Sequence, residues 1–218
     1  MEDLTTVQRV VVWALPVLFA ITVHEVAHGW VARKLGDPTA MMLGRLTLNP
    51  VKHIDPIGTV VVPVVLLLLG GFIFGWAKPV PVTWENLKNP RRDMALVAVA
   101  GPLANLLMAI GWALIMKLGV TLGSDMHWLA WPLIYMGGAG IAINAILMLL
   151  NLLPIPPLDG SRVLMGLLPG PLAWKLGRIE PYGLIIMVLL LVSGVLGTIL
   201  MPPLRAFEEL LFALAGLG

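Results

Sequence analysis

The sequence predicts an all-α membrane protein that crosses the bilayer several times, and three observations support this fold class. Hydrophobic residues make up 59% of the 218 residues and charged residues only 12%, a composition that is too apolar for a soluble domain. Several apolar stretches approach the ~20 residues that a transmembrane helix needs. Lysine and arginine are concentrated between these stretches, as the positive-inside rule predicts for a polytopic protein.

Composition also limits the classes of function. The net charge is only +2 and the basic residues form no continuous stripe, so we expect the lipid bilayer, and no nucleic acid, as a partner. The chain has no cysteine. A metal site would therefore have to use histidine, aspartate or glutamate ligands.

Five apolar stretches are candidates for membrane-embedded elements. They cover 7–32, 57–76, 94–116, 131–153 and 182–201. Each is long enough to reach across most of the hydrocarbon core as a helix.

The second stretch decides the number of crossings. Eleven of the fourteen Lys and Arg residues fall within 33–52, 78–92 and 162–178. If 57–76 crossed the membrane, the first two groups would lie on opposite sides, against the positive-inside rule. If it enters and returns, all eleven lie on the cytoplasmic side. A proline and a Gly-Gly pair within the stretch also favour a broken, re-entrant element.

We therefore expect one domain over 1–218 with four crossings and an external N-terminus. A membrane-dipping region that contains a re-entrant helix and a β-element is expected over 41–82. A full crossing by 57–76 is the alternative. The tail, 202–218, is expected to form an interfacial helix or else a loose end.

The first apolar stretch contains three ionisable side chains, His24, Glu25 and His28, in the sequence HEVAH. Each costs about 2.5–3.5 kcal/mol at the centre of a membrane-spanning helix, so a compensating partner is needed. On a helix the two histidines lie on one face, one turn apart, which suits two ligands of a tetrahedral zinc ion. Glu25 then flanks the metal as a general base. A chance HExxH on a solvated helix is the alternative, but this helix has no solvated face.

A zinc ion bound by two histidines needs at least one more protein ligand, for which Asp55 and Asp159 are candidates. At 1.5 Å per residue, His24 and His28 lie about 7–14 Å from the cytoplasmic end of their helix. Asp159 follows a span that, with four crossings, returns to the same end, and it is therefore the predicted third ligand. Asp55 is expected to cap the re-entrant element.

Five motifs, taken together, resemble the site-2 protease family of intramembrane zinc metalloproteases. In chain order they are HEVAHG (24–29), NPVKHIDPIGT (49–59), GWAKPVPV (75–82), GPLAN (101–105) and NLLPIPPLDG (151–160). HExxH alone is a weak signal, whereas HExxH with a downstream NxxPxPxLDG, both in apolar segments, is specific. The resemblance extends from the first helix to about residue 162.

The resemblance implies that Zn²⁺ is bound by His24, His28 and Asp159 and that Glu25 activates the water. It also implies that Asn151 helps to hold the substrate or its oxyanion. The substrate would be a transmembrane protein, cleaved in or near its span by a three-helix catalytic core in the plasma membrane, on the cytoplasmic side. The chain resembles the short branch of the family, without PDZ or CBS domains.

Several alternatives stay open on the sequence alone. A divalent-cation transporter or channel could use the same buried His and Asp residues. The segments 41–48 and 75–82 could be edge strands that bind an unwound substrate, or surface loops. Asn105 is interpreted as a packing residue between helices.

The predicted topology can be tested with single cysteines introduced at Lys88 and Met126, since the chain has none of its own. With four crossings the two positions lie on opposite sides of the membrane. We expect a membrane-impermeant thiol reagent added outside intact cells to label the cysteine at 126 but not the one at 88. Labelling of the cysteine at 88 but not the one at 126 would refute the re-entrant segment, because a full crossing by 57–76 exchanges the sides of the two positions.

Overall fold

The computed structural model describes residues 4–70 and 75–217, and these residues form α-helices, short 3₁₀ and π turns and loops, with no β-strand. This confirms the all-α class. The helices are α1 (Thr6–Lys34), α2 (Thr39–Met42), α3 (Val62–Gly70), α4 (Pro90–Leu122), α5 (His127–Asn151), α6 (Asp159–Leu167), α7 (Gly170–Gly177), α8 (Gly183–Val192) and α9 (Val195–Ala215).

Within the described residues, three helices are long and apolar enough to cross a membrane: α1, α4 and α5. The residues predicted as a fourth span, 182–201, are divided between α8 and α9, and the helices 170–192 and 195–215 meet at a bend of 78°. Gly194 adopts a left-handed φ of +75° at this break, which only glycine reaches without a steric penalty. Helix α9 then continues through the predicted interfacial tail as far as Ala215.

Helix α4 lies at the centre of the bundle, in contact with α1, α5, α6 and α9. Small residues allow the close approach: a Cβ added to Gly137 would overlap Met116, and one added to Gly140 would overlap the ring of Trp112. Interfaces of this kind are typical of helices that pack within a bilayer, where close van der Waals contact replaces the hydrophobic effect.

The beginning and the end of the segment predicted to re-enter the membrane lie next to each other. The backbone N–H of Lys78 donates to the carbonyl of His53 at 2.9 Å, and that of Trp76 donates to the carbonyl of Gly58 at 3.0 Å. Asp55 caps the first turn by accepting hydrogen bonds from the N–H groups of residues 57 and 58. The two arms of the segment, 53–59 and 75–78, are therefore hydrogen-bonded to each other.

The β-element expected over 41–82 is not present as paired strands in the described part of the chain. Residues 39–42 form helix α2, and 75–83 belong to no helix or strand. Prolines at 79 and 81 explain this, because they lack the N–H that a ladder needs. We call 75–83 the extended segment, because the prolines at 79 and 81 restrict the residues before them to extended conformations. Residues 71–74, which include half of the predicted Gly-Gly break and the start of the predicted return, lie outside the described residues.

A buried carboxylate joins the end of α1 to the segment that leads into α4. Asp37 has no exposed surface, and its oxygens accept hydrogen bonds from the backbone N–H of Thr83 at 2.7 Å, the side chain of Asn86 at 2.9 Å and the backbone and hydroxyl of Thr39. Burial alone would raise the pKa of this carboxyl, but the hydrogen bonds from Thr39, Asn86 and Thr83 outweigh it, and the pKa is lowered.

Replacement of this carboxylate should destabilise the fold. Asp37→Asn removes the charge and presents an NH₂ group to backbone donors, and we expect a loss of about 1–3 kcal/mol in the free energy of unfolding. The folded pKa lies below the unfolded value of about 3.9, so the stabilisation is present above that pH and is lost as pH falls through the lowered pKa. Thermal unfolding in detergent should therefore show a wild-type advantage at pH 7 that shrinks on acidification below about pH 4.

Glu85→Gln is the matched control, because Glu85 is an exposed carboxylate in the same segment and its replacement should leave the melting temperature nearly unchanged. Equal effects of the two substitutions would contradict the structural role of Asp37.

Candidate metal centre

Three buried side chains converge where the first helix, α1, passes the beginning of α6. His24 is 7% exposed, His28 9% and Asp159 9%. The Nε2 atoms of the two imidazoles are 3.0 Å apart, and each lies 3.2 Å from Oδ2 of Asp159. The structure thus brings together the three residues that the sequence predicts as metal ligands.

The spacing of these three atoms and the missing hydrogen bond of Asp159 fit a bound metal ion better than direct contacts among the side chains. A tetrahedral zinc ion with bonds of about 2.0–2.1 Å spaces its ligand atoms roughly 3.3 Å apart, close to the three observed distances. Oδ2 of Asp159 is buried and makes no hydrogen bond, although buried carboxylate oxygens are normally satisfied. Two imidazoles and one carboxylate, with no thiolate, match the ligand sets of catalytic zinc sites.

The backbone between α5 and α6 carries Asp159 into the bundle. Helix α5 ends at Asn151, and the proline-rich residues 152–158 that follow cannot continue it. Gly160 packs so tightly that an added Cβ would overlap the carbonyl of Leu152. Ser161 is buried and donates its hydroxyl to the carbonyl of Leu158 at 2.7 Å, which holds the start of α6 against the proline-rich turn.

The other ring nitrogens are held by α4. Nδ1 of His24 lies 2.6 Å from Oδ1 of Asn105, and Nδ1 of His28 lies 2.7 Å from the carbonyl oxygen of Val97. Because these oxygens can only accept, each imidazole carries its proton on Nδ1 and turns the lone pair of Nε2 towards Asp159. Such outer contacts orient metal-binding histidines.

Asn105 is itself fixed by the neighbouring helices. Its amide donates to the carbonyl of Ala20 at 3.3 Å and to Oδ1 of Asn144 at 2.9 Å, and Asn144 donates to the carbonyl of Gly140 at 2.8 Å. Both asparagines are fully buried. Asn105 was predicted only to pack between helices, and Asn144 lies in none of the five motifs. An amide within an apolar span was the available signal.

Gly101 gives the imidazoles their room. It lies on α4 between Val97 and Asn105, and an added Cβ would overlap the rings of both His24 and His28. Nothing in the motif GPLAN indicates which side chains this glycine faces.

The two predicted catalytic residues have different surroundings. Glu25 is half-buried, and its Oε2 accepts a hydrogen bond from the backbone N–H of Val80 at 2.7 Å. Asn151 is also half-buried, and its amide donates to the carbonyl of Leu147 at 3.0 Å, one turn earlier in α5. Glu25 is therefore fixed beside the two histidines by the extended segment, whereas Asn151 is bonded within its own helix.

Comparisons with known proteins show that the chain is similar to zinc metalloproteases. A family model described as peptidase family M50 matches residues 12–126. The chain is 39% identical over 205 residues to "Putative zinc metalloprotease YwhC" of Bacillus subtilis, covering 89% of this chain and 86% of that protein. It is 33% identical over 200 residues to "Putative zinc metalloprotease Rip2" of Mycolicibacterium smegmatis, covering 89% and 69%.

No solved structure matches the chain. The family model spans more than half of its length, and the resemblance found in the five motifs is confirmed. The chain belongs to peptidase family M50, the site-2 protease family of membrane-bound zinc metalloproteases.

Proposed function

We propose that the chain is an intramembrane zinc endopeptidase that hydrolyses peptide bonds in or near the spans of other membrane proteins, the reaction used in regulated intramembrane proteolysis. The observation that carries the proposal is the buried cluster of His24, His28 and Asp159, with Glu25 fixed beside it. Two of its histidines lie on a helix that is apolar enough to span a membrane.

His24, His28 and Asp159 are the proposed zinc ligands. A zinc ion held by them would lower the pKa of a bound water towards about 7 and polarise the scissile carbonyl. The protein's own contribution is to keep both Nε2 lone pairs turned inwards through the bonds of the Nδ1 atoms to α4.

Glu25 is the proposed general base and, later, the general acid. Its carboxylate is held through Oε2 by the N–H of Val80, and Oε1 would take the proton from the attacking water. The same group can return the proton to the departing amine as a general acid.

Asn151 is the proposed donor to the substrate carbonyl oxygen. One such donor is typically worth about 2.7–4 kcal/mol in related acyl-transfer chemistry. Its amide donates one N–H to the carbonyl of Leu147, which leaves the second N–H of the NH₂ group for a substrate oxygen.

The site is proposed to face the cytoplasmic side of the plasma membrane. His28 lies fewer than two turns from Arg33 and Lys34, the basic last turn of α1. Eleven of the fourteen basic residues fall within 33–52, 78–92 and 162–178, the segments that are expected at this end. The arms of the segment 53–78 are hydrogen-bonded to each other, whereas a straight crossing would separate its ends by about 30 Å, and this supports a re-entrant segment.

The proposed substrate is the span of another membrane protein, which must unwind because its backbone groups are satisfied within its own helix. The extended residues 78–82 pass directly beside Glu25. They are the proposed location for the unwound substrate backbone.

The general-base role is tested by Glu25→Gln, which keeps the shape of the side chain but cannot accept the proton. We expect the purified variant to bind zinc as the wild type does and to cleave a model single-span protein at least 10²-fold more slowly, because general-base catalysis contributes about 10²–10⁴-fold. Zinc is measured by metal analysis and cleavage by gel electrophoresis. Equal cleavage by both proteins, or no zinc in either, would contradict the proposal.

The second test changes the room around the ligands without touching them. Gly101→Ala places a methyl group against both imidazoles, and we expect zinc affinity to fall about 10–100-fold, as for other changes that disturb ligand orientation. Gly111→Ala is the matched control, since Gly111 lies on the same helix and a Cβ added there meets nothing within 4 Å. Unchanged zinc affinity in the Gly101→Ala protein would contradict the proposed ligand geometry.

A further inference from the structure

The carboxylate of Glu25 is fixed by one peptide group of the extended segment. Val80 donates its N–H to Oε2 at 2.7 Å. Prolines precede and follow Val80 and have no N–H, so this is the one backbone donor that residues 79–81 possess. Pro81 also restricts Val80 to extended conformations. The donor is therefore held in direction before any substrate arrives.

A buried arginine, Arg45, holds residues 78 and 79 through their backbone carbonyls. Nη2 of Arg45 donates to the carbonyl of Lys78 at 2.8 Å and makes a longer contact with that of Pro79 at 3.4 Å. Arg45 is 8% exposed. Within the described part of the chain no carboxylate lies within ion-pair distance of it, and its Nε is buried without a hydrogen-bond partner.

This arrangement is costly for folding alone. A buried guanidinium loses its hydration, and neutral carbonyl groups compensate it less well than a carboxylate would. The backbone hydrogen bond from Lys78 to His53 already holds this segment without a charged group. The position of Arg45 therefore calls for a reason beyond the stability of the loop.

The connection to Glu25 runs through a single peptide unit. The carbonyl of Pro79 and the N–H of Val80 belong to the same amide, and consecutive hydrogen bonds polarise one another in a low-dielectric environment. The positive charge at the carbonyl end favours donation at the N–H end. Arg45 also fixes the preceding carbonyl, which sets the position of the whole unit.

We propose that Arg45 is a positioning residue for the general base: it holds the Pro79–Val80 peptide so that the N–H of Val80 orients the carboxylate of Glu25 towards the cluster of His24, His28 and Asp159. The inference deepens the proposed function and rests on the role of Glu25 in it. Arg45 itself touches neither the substrate nor the ligands.

The first test needs no enzymatic activity. In a Val80→Cys protein, the rate at which a thiol reagent modifies residue 80 reports how firmly the segment is held, because Val80 is only 7% exposed and the chain has no other cysteine. We expect Arg45→Met to accelerate labelling about tenfold, since closed segments react through local opening. Arg33→Met is the matched control, an exposed arginine at the same end of the bundle, and should leave the rate unchanged.

The second test compares kinetics in chains with valine at 80. Arg45→Met should bind zinc at the wild-type stoichiometry and lower kcat for a single-span substrate about 10–100-fold, as misplacement of a catalytic group does, with little change in KM. Arg45→Lys, which keeps a charge and a donor, should recover part of kcat. Arg33→Met should match the wild type.

Three results would overturn the inference. Unchanged labelling in Arg45→Met would show that Arg45 does not hold the segment. A wild-type kcat in Arg45→Met would show that Glu25 does not depend on it. Loss of zinc and of the folded state in both Arg45→Met and Arg45→Lys would give the residue a folding role only. A wild-type protein without protease activity would instead defeat the proposed function, and the labelling rates would still decide whether Arg45 holds the segment.

Discussion

The cost of placing ionisable groups among apolar helices is the constraint on which the rest of this structure depends. His24, His28 and Asp159 meet at 3.0–3.2 Å in a region almost without solvent, and each would be expensive there without partners. Neighbouring elements supply those partners or bring the three groups to one another: the face of α4 holds the histidines, and the proline-rich turn before α6 carries Asp159 to them.

Helix α4 acts as the template for this arrangement. Val97, Gly101 and Asn105 follow one another at intervals of four residues and so form one stripe on its surface. Val97 accepts a hydrogen bond from His28, Gly101 leaves space for both rings, and Asn105 accepts a hydrogen bond from His24. The histidines of α1 are thus positioned mainly by a helix that supplies none of the three clustered side chains.

The sequence was sufficient for the parts that local pattern and membrane cost determine. Apolar length predicted α1, α4 and α5, and the depth of His24 and His28 selected Asp159 over Asp55. The partners of the imidazoles could not be read in this way. The bond between His24 and Asn105 joins residues 81 positions apart, and no spacing rule relates them.

Other differences have equally local causes. Apolar length predicts a span but not a bend, and the left-handed backbone at Gly194 divides the residues predicted as the fourth crossing. Alternating prolines in KPVPV left an extended segment where a β-element was expected. The role of Asp37 was missed because its partners are backbone N–H groups, which are present in almost every residue and carry no sequence signal.

The hydrogen bonds that anchor Nδ1 of both imidazoles to α4 affect the entropy of metal binding. A side chain that binds a metal normally loses rotational freedom in that event. Here each ring is already anchored to α4 through Nδ1, so that entropy is lost when the helices assemble. The affinity of the proposed zinc site would then depend on the folding of the bundle. A substitution far from the three clustered residues that loosens the contact between α1 and α4 would weaken zinc binding through an entropic term.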